Sequence, residues 1–580
     1  MKKVKLLLLF FIFSASFSFG QNWLWGGQAH MKDLKLISTI SVATDANGNA
    51  FLAGPFHWEV SFGKDTVQDS MYAESDGAYY MKYNSAGNVQ WVKQFFSPGN
   101  GCFASSVVTD ASNNLIVAGG FDFNIKMGSY NYSTYGGDFF LAKCDNNGNI
   151  LWTTVGVGEN TNSVFYASTT STALATDRSK NVFISGYFLD TLKFGATTLL
   201  NSNNTNYNIF TAKYDSNGNV LWAKQGTCIT HTGGLTNKSY SVATDLNGNS
   251  FIAGSYNDSI TFGKYTLTSP ILYNYWMGQV FLVKYDPSGN VLWARQSNIP
   301  SAGNSAIGYG VTTDNAGNVY LTGAFTDTVS FGNHTLVGGG LFFVKYSANG
   351  NVIWAKSAGA PYPPNSAAYY TGYSLSSDEY NHIYLAGGGG RDSITFGKFT
   401  LNSPQNSEGN SFVIKFDTGG NAICGSLLFN GAKAYVSIAT DKSGVYVYPA
   451  STIVSDTIFC AADTLTPPGE VPYVARWQNC GEQDGVPSIS TLQKPSVLLY
   501  PNPSNGEFTI VESGKLNMEN EKSNIEVYNM LGEIVYGATL KQVQGDNIIN
   551  LSNQPNGIYL YRVITPTGNL IGQGKMIVQH

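Results

Sequence analysis

Eight ring-bearing side chains of this 580-residue chain could recognise a ligand: His57, Trp58, Tyr273, Tyr275, Trp276, Tyr362, Tyr369 and Tyr370. They depart from the repeating pattern set out below. Flat rings with a polar edge suit stacking on sugar rings or packing into a protein partner. Glu59, Asp76, Asp138 and Glu159 are the carboxylates that could supply an acid/base pair for glycoside hydrolysis, if folding brings two of them together. Other chemistry lacks its residues. The six His have no metal-ligand spacing, and there is no GxSxG, HExxH or phosphate-binding loop. The recurring DxNGN strings resemble half a calcium loop but lack the downstream Glu; the Asp suits a tight turn instead. Arg391, after Gly387 to Gly390, could meet an anion and reads as a solvated loop charge. No metal, cofactor or catalytic residue is therefore expected.

Composition limits the rest. Charged residues are 12% of the chain, against an ordinary share of about 25%. Aromatics reach 14%, with 64 Gly. This excludes a disordered chain and a coiled coil. The net charge is −5, and Lys2, Lys3 and Lys5 sit at the extreme N-terminus, so nothing supports nucleic-acid binding through a basic field. An all-β chain punctuated by Gly remains.

A repeat positions the candidate residues. Asp45, Asp110, Asp177, Asp245, Asp314, Asp378 and Asp441 recur at a mean spacing of about 66 residues. A second landmark is KY…GNxxW, as in Lys213-Tyr214 with Asn219 and Trp222. Weaker copies carry Cys144 for the Tyr and Cys424 for the Trp. Each copy reads as four strands, A to D, joined at A–B and C–D by short Gly/Asn turns. Seven such units predict a seven-bladed β-propeller over residues 21–480. The last copy lacks its GNxxW strand. Asn22 to Gln28 resembles Asn219 to Gln225, so the N-terminal strand is expected to close the ring against residues near 473–478. The recurring Lys is expected to pair with the strand-A Asp. The B–C and D–A connections are long, leave one end of the ring and carry the candidate aromatics. Repeated rings such as Phe262 and Phe331 read as core.

The GNxxWAK pattern of residues 21–480 resembles that of bacterial β-propeller repeat proteins. Asp215 to Trp222 is also similar to the tryptophan-docking repeat of quinoprotein dehydrogenases and, more loosely, to the Asp-box of sialidases, where the motif is scaffolding. The ends indicate destination. Three Lys, an apolar run Leu6 to Phe13 and small residues before Gln21 read as a signal peptide, residues 1–20, too short to span a bilayer. No transmembrane segment is expected in the mature chain. Residues 481–496 are a polar linker. Residues 497–580 alternate as a small Ig-like β-sandwich. There, Tyr500-Pro501-Asn502-Pro503 with Gly506, the turn Met530 to Glu533, Gly557-Ile558-Tyr559 and Lys575 to Val578 resemble the C-terminal sorting domain of the type IX (Por) secretion system of Bacteroidota. The resemblance implies passage through that machinery, then surface attachment or release.

An exported chain permits disulfides. Cys460 and Cys480 share the last unit and are expected to bridge, with Cys144 and Cys424 filling apolar repeat sites as thiols. The sequence thus points to a secreted or cell-surface propeller that binds a glycan or protein through its long-loop end without catalysis. A polysaccharide hydrolase or lyase with its site at the axial mouth is the alternative.

Overall fold

The computed structural model describes most of residues 23–478 and 497–580. The N-terminal leader, the linker 479–496 and parts of the long connections (32–40, 69–75, 159–168, 230–236, 270–277, 359–369, 403–409 and 431–435 among them) lie outside the described residues. The chain divides into two compact units, residues 1–480 and 481–580.

Among the described residues, the first unit holds seven antiparallel sheets, one per repeat, each built on four strands A to D; the third is extended to six strands by a hairpin from the next repeat. The fourth is typical. Strand A is Lys238–Thr244, B is Ser250–Tyr256, C is Gln279–Tyr285 and D is Val291–Gln296. Strands B and C are buried along their length, as a sheet covered on both faces requires. The seventh sheet is composite: Ser437–Thr440, Tyr446–Ile453 and Val471–Gln478 take Trp23–Gln28 as their fourth strand. The pairing aligns Gln28 with Tyr473 and Trp23 with Trp477.

The repeat Asp builds the A–B turn. Asp245 Oδ1 accepts from the amides of Asn247 and Asn249 at 3.0 Å each, and Oδ2 accepts from Asn249 Nδ2 at 2.7 Å. Gly248 takes φ +77° at the turn. Both carboxylate oxygens are committed to protein donors, which accounts for the Asp without a metal. The strand-C lysine also reaches this carboxylate. Lys143–Asp110, Lys213–Asp177, Lys284–Asp245 and Lys345–Asp314 lie 2.8, 3.5, 3.6 and 3.4 Å apart, all buried.

The same lysines join one sheet to the next. Lys213 Nζ donates to Pro287 O, in the C–D turn of the following sheet, and Trp222 Nε1 donates to that carbonyl at 3.0 Å. Lys143 with Trp152, Lys284 with Trp293, and Lys345 with Trp354 converge likewise on Ser216, Ala348 and Thr418. The turn must carry glycine: Gly289 has φ +82°, and a Cβ there would stand 2.8 Å from the Trp222 ring. In the seventh sheet Arg476 replaces the lysine and donates to Ser85 O, in the C–D turn of the first.

The A strands are knitted by hydroxyls. Thr109, Thr176, Thr244, Thr313, Ser377 and Thr440 each donate to the carbonyl of the corresponding residue one sheet earlier, at 2.6 to 3.1 Å. Thr44 then donates to Thr440 O at 2.7 Å, returning to the start of the series. A second set caps amides: Ser41, Ser241 and Ser437 accept from Val107, Val311 and Val42.

The B–C insertions form hairpins on the outer strands. Ser259–Phe262 pairs with the end of strand D of the third sheet, and the Phe262 ring lies over Gly226, where a Cβ would stand 2.3 Å from it. Val60–Ser61 pairs with His30–Met31, Leu192–Lys193 with Val157–Gly158, and Ser330 bridges to Asn298. Each hairpin packs on the preceding sheet, so these insertions are staples between units. Phe262 and Phe331 are core, as read from the sequence.

The second unit pairs Val497–Tyr500, Glu507–Glu512 and Ile548–Asn550 in one sheet. Ile534–Leu540, Ser523–Tyr528, Gly557–Ile564 and Leu570–Val578 form another. Phe508, Ile525, Val527, Tyr561 and Met576 are central in its core.

Cys102, Cys144 and Cys228 are buried free thiols. Cys424 is disulfide-bonded, which corrects its reading as a thiol filling an apolar site. The side chains of Cys460 and Cys480 lie outside the described residues.

Two outcomes follow from this packing. Thr244→Val and Thr44→Val should each cost about 1–2 kcal/mol in urea unfolding, because each removes one hydroxyl and orphans a carbonyl; a silent Thr44→Val beside a costly Thr244→Val would contradict an unbroken series. Non-reducing peptide mapping should recover Cys424 linked to Cys460 or Cys480, and a Cys460–Cys480 peptide with Cys424 free would contradict it.

Candidate functional site

Strand A of each sheet runs from the long D–A connection toward the short A–B turn. In five consecutive sheets its register on strand B slips by one residue near the start. The extra residues are Ser105, Thr172, Tyr240, Tyr309 and Tyr373. A bulge re-aims the inserted residue out of the strand's alternation. Here it does so on strand A, an edge strand of its sheet, at the end carrying the long connections.

Three bulged residues in a row are tyrosines, and their rings touch across sheet boundaries. Tyr240 and Tyr309 have centroids 5.0 Å apart at 61°, and Tyr309 and Tyr373 5.5 Å apart at 58°. Small neighbours permit this. A Cβ on Gly310 would stand 3.1 Å from Tyr373 O, and one on Gly372 would stand 2.1 Å from Thr322 Oγ1. A second group lies between the third and fourth sheets. Tyr187 and Tyr207 rings are 4.7 Å apart, and Lys238 Nζ sits 5.5 Å over the Tyr187 ring. Burial, then the neighbouring Tyr187, pushes the Tyr207 phenol above its ordinary value.

Of the rings expected from the sequence, His57 and Tyr370 lie among the described residues. His57 ends strand B of the first sheet and is buried. Tyr370 is 2% exposed; its ring meets Phe412 at 5.8 Å and its hydroxyl accepts from Asn410 Nδ2 at 3.4 Å. Both are buried side chains, and Tyr370 belongs to an apolar cluster with Phe412 and Phe416. Trp58, Tyr273, Tyr275, Trp276, Tyr362, Tyr369, Glu159 and Arg391 lie outside the described residues, as does the side chain of Asp76. Glu59 sits half-buried on the outer hairpin of the first sheet, opposite Gln68.

The sequence reading missed the tyrosines, although the signal was present. Five residues before each repeat Asp stand Ile40, Ser105, Thr172, Tyr240, Tyr309, Tyr373 and Val436. That column varies while its neighbours repeat.

Asp138 has distinctive electrostatics. It is fully buried on strand C of the second sheet and accepts the Gly158 amide at 2.7 Å. Burial outweighs that amide and the Thr134 hydroxyl, and Asp122 adds like charge, so the carboxyl is raised to about 7. The folded chain then keeps a proton that the unfolded chain loses near pH 4, so this residue's contribution to stability falls as pH rises from about 4 to about 7 and stays lost above. Asp138→Asn should raise Tm by several degrees at pH 8 and leave it unchanged at pH 3; equal effects at both would contradict the assignment.

In the second unit, Tyr500 ends a strand and Pro501 to Pro503 lie outside the described residues. Gly506 has φ +108°, and a Cβ there would stand 2.5 Å from Ser552 Cα. The Tyr559 hydroxyl donates to Pro555 O at 2.8 Å, Gly557 opens the same strand, and Lys575 pairs with Leu560 on the last strand.

Comparison with known proteins follows the two units. Residues 498–579 match the model of the secretion system C-terminal sorting domain. An uncharacterized WD repeat-containing protein of Acanthamoeba polyphaga mimivirus is 26% identical over 411 residues, 59% of this chain and 29% of that protein's length. Among solved structures, a protein of unknown function from Dyadobacter fermentans matches 80% of this chain and 100% of its own at 9% identity and a TM-score of 0.36. The WD40 repeats of RRP9 match 78% and 98% at 8% identity and a TM-score of 0.38. Among the described residues no helix is long and apolar enough to cross a membrane. Residues 498–579 thus carry a Por secretion C-terminal sorting domain, which directs the protein to the cell surface or exterior, and the repeated four-strand sheets before it are similar to a WD repeat-containing protein.

Proposed function

We propose that the seven sheets are blades of one closed propeller over residues 21–480, with Trp23–Gln28 as the closing outer strand. The exported protein then acts as a non-catalytic binding or adhesion module. The strand pairing of Gln28 with Tyr473 and the Thr44–Thr440 bond support closure. The tyrosines bulged from three neighbouring inner strands, at the end of the long connections, carry the binding reading. Its partner is a glycan or a protein. Cleavage before Gln21, transit through the type IX machinery by residues 497–580 and surface attachment or release complete the proposal.

The second reading is a polysaccharide hydrolase or lyase. Asp138 favours it, since a carboxyl poised near neutrality can act as a general acid. Its complete burial weighs against contact with substrate.

The two readings separate in one experiment. The mature chain, residues 21–580, is incubated with insoluble polysaccharides and with solubilised cell-surface proteins, and reducing sugar is measured alongside retention. Retention without sugar release is the expected result. Sugar release abolished by Asp138→Asn would establish the enzyme, and retention on nothing would overturn the binding reading.

A further inference from the structure

We propose that Tyr240, Tyr309 and Tyr373 line one arc of the axial mouth and bind a neutral saccharide chain there. The proposal rests on the binding-module reading and names its site and ligand class. All three occupy the same repeat position, each inserted by a bulge on the innermost strand of its sheet. Neighbouring ring planes meet at 61° and 58°, one pair edge to face and the other tilted, so the three rings form a faceted aromatic wall.

A scaffold role does not need this wall. At the same position the first and last copies carry Ile40 and Val436, and the second and third carry Ser105 and Thr172. The repeat position is therefore aromatic in three neighbouring copies and aliphatic or hydroxylated in the other four. A pyranose has matching faces: axial C–H groups for the rings and hydroxyls for polar partners. The phenol groups add donors and acceptors at the ring edges. Nearby, Tyr187 and Tyr207 extend aromatic surface beside Lys238 at the start of the strand that bears Tyr240.

The test uses the mature chain, residues 21–580, titrated by calorimetry with hexasaccharides of β-1,4-glucan, β-1,4-mannan, β-1,3-glucan and chitin. At least one should bind. Tyr309→Ala removes the middle ring and should weaken binding about tenfold or more, as loss of a central aromatic anchor does. Tyr309→Phe keeps the ring and should hold affinity within about threefold by the same argument. Tyr373→Ala, at the end of the arc, serves if Tyr309→Ala fails to fold, and thermal melting checks each variant. A saccharide bound equally well by Tyr309→Ala and Tyr373→Ala would overturn the arc while leaving the binding module intact. No binding of any hexasaccharide, or binding of choline that is lost in Tyr309→Ala, would overturn the ligand class.

Discussion

Among the described residues, strand A is an edge strand of every repeat sheet, and the structure depends on how that edge is satisfied. An open edge leaves amides and carbonyls unpaired and invites pairing with other chains. Here the solution is written in side chains. A threonine or serine just before each repeat Asp gives its hydroxyl to the carbonyl one sheet back, seven times in series. Each bond is worth only about 1 kcal/mol net, but each carbonyl left bare would cost more. The string S-V-A-T-D at 41–45 and 241–245 is the sequence form of this device.

The outer side solves a different problem. A buried lysine must keep its charge satisfied, and a lone buried ion would be costly. The strand-A Asp and the next sheet's turn carbonyl supply that satisfaction, and the Trp indole shares the carbonyl. One carbonyl therefore fixes the spacing between neighbouring sheets, and its glycine lets the turn close over the Trp ring. Sheet contacts are thus held at the inner edge by hydroxyls and farther out by lysine and tryptophan. The bulged position at the start of strand A stands outside both of these bond series. It is free to vary, and it varies from Ile40 through Tyr309 to Val436.

Much of this was legible in the sequence. The repeat Asp, the turns, the Lys–Asp pairing and the pairing of the N-terminal strand with residues 473–478 follow from local pattern and copy number. What escaped depended on neighbours far away in the chain. The FG…TL hairpins look local, yet Phe262 seats on Gly226 of the preceding sheet. His57 and Tyr370 break the pattern as ligand-binding rings would, yet core packing encloses them. Tyr240, Tyr309 and Tyr373 stood at the start of a repeated strand and were passed over, because a one-residue slip cannot be seen without the partner strand. Cys424 stood in a Trp position, and its bridge needed three-dimensional proximity.

The central claim is that the series of inner strands has no end. Native-state hydrogen exchange of the mature chain tests it most directly. The Val42 amide bonds Ser437 across the junction of the first and last sheets, while Val107, Leu174 and Val311 make the same bond inside the series. The account predicts that Val42 exchanges as slowly as the other three. Rapid exchange at Val42 with protection at Val107, Leu174 and Val311 would show an open row and contradict it.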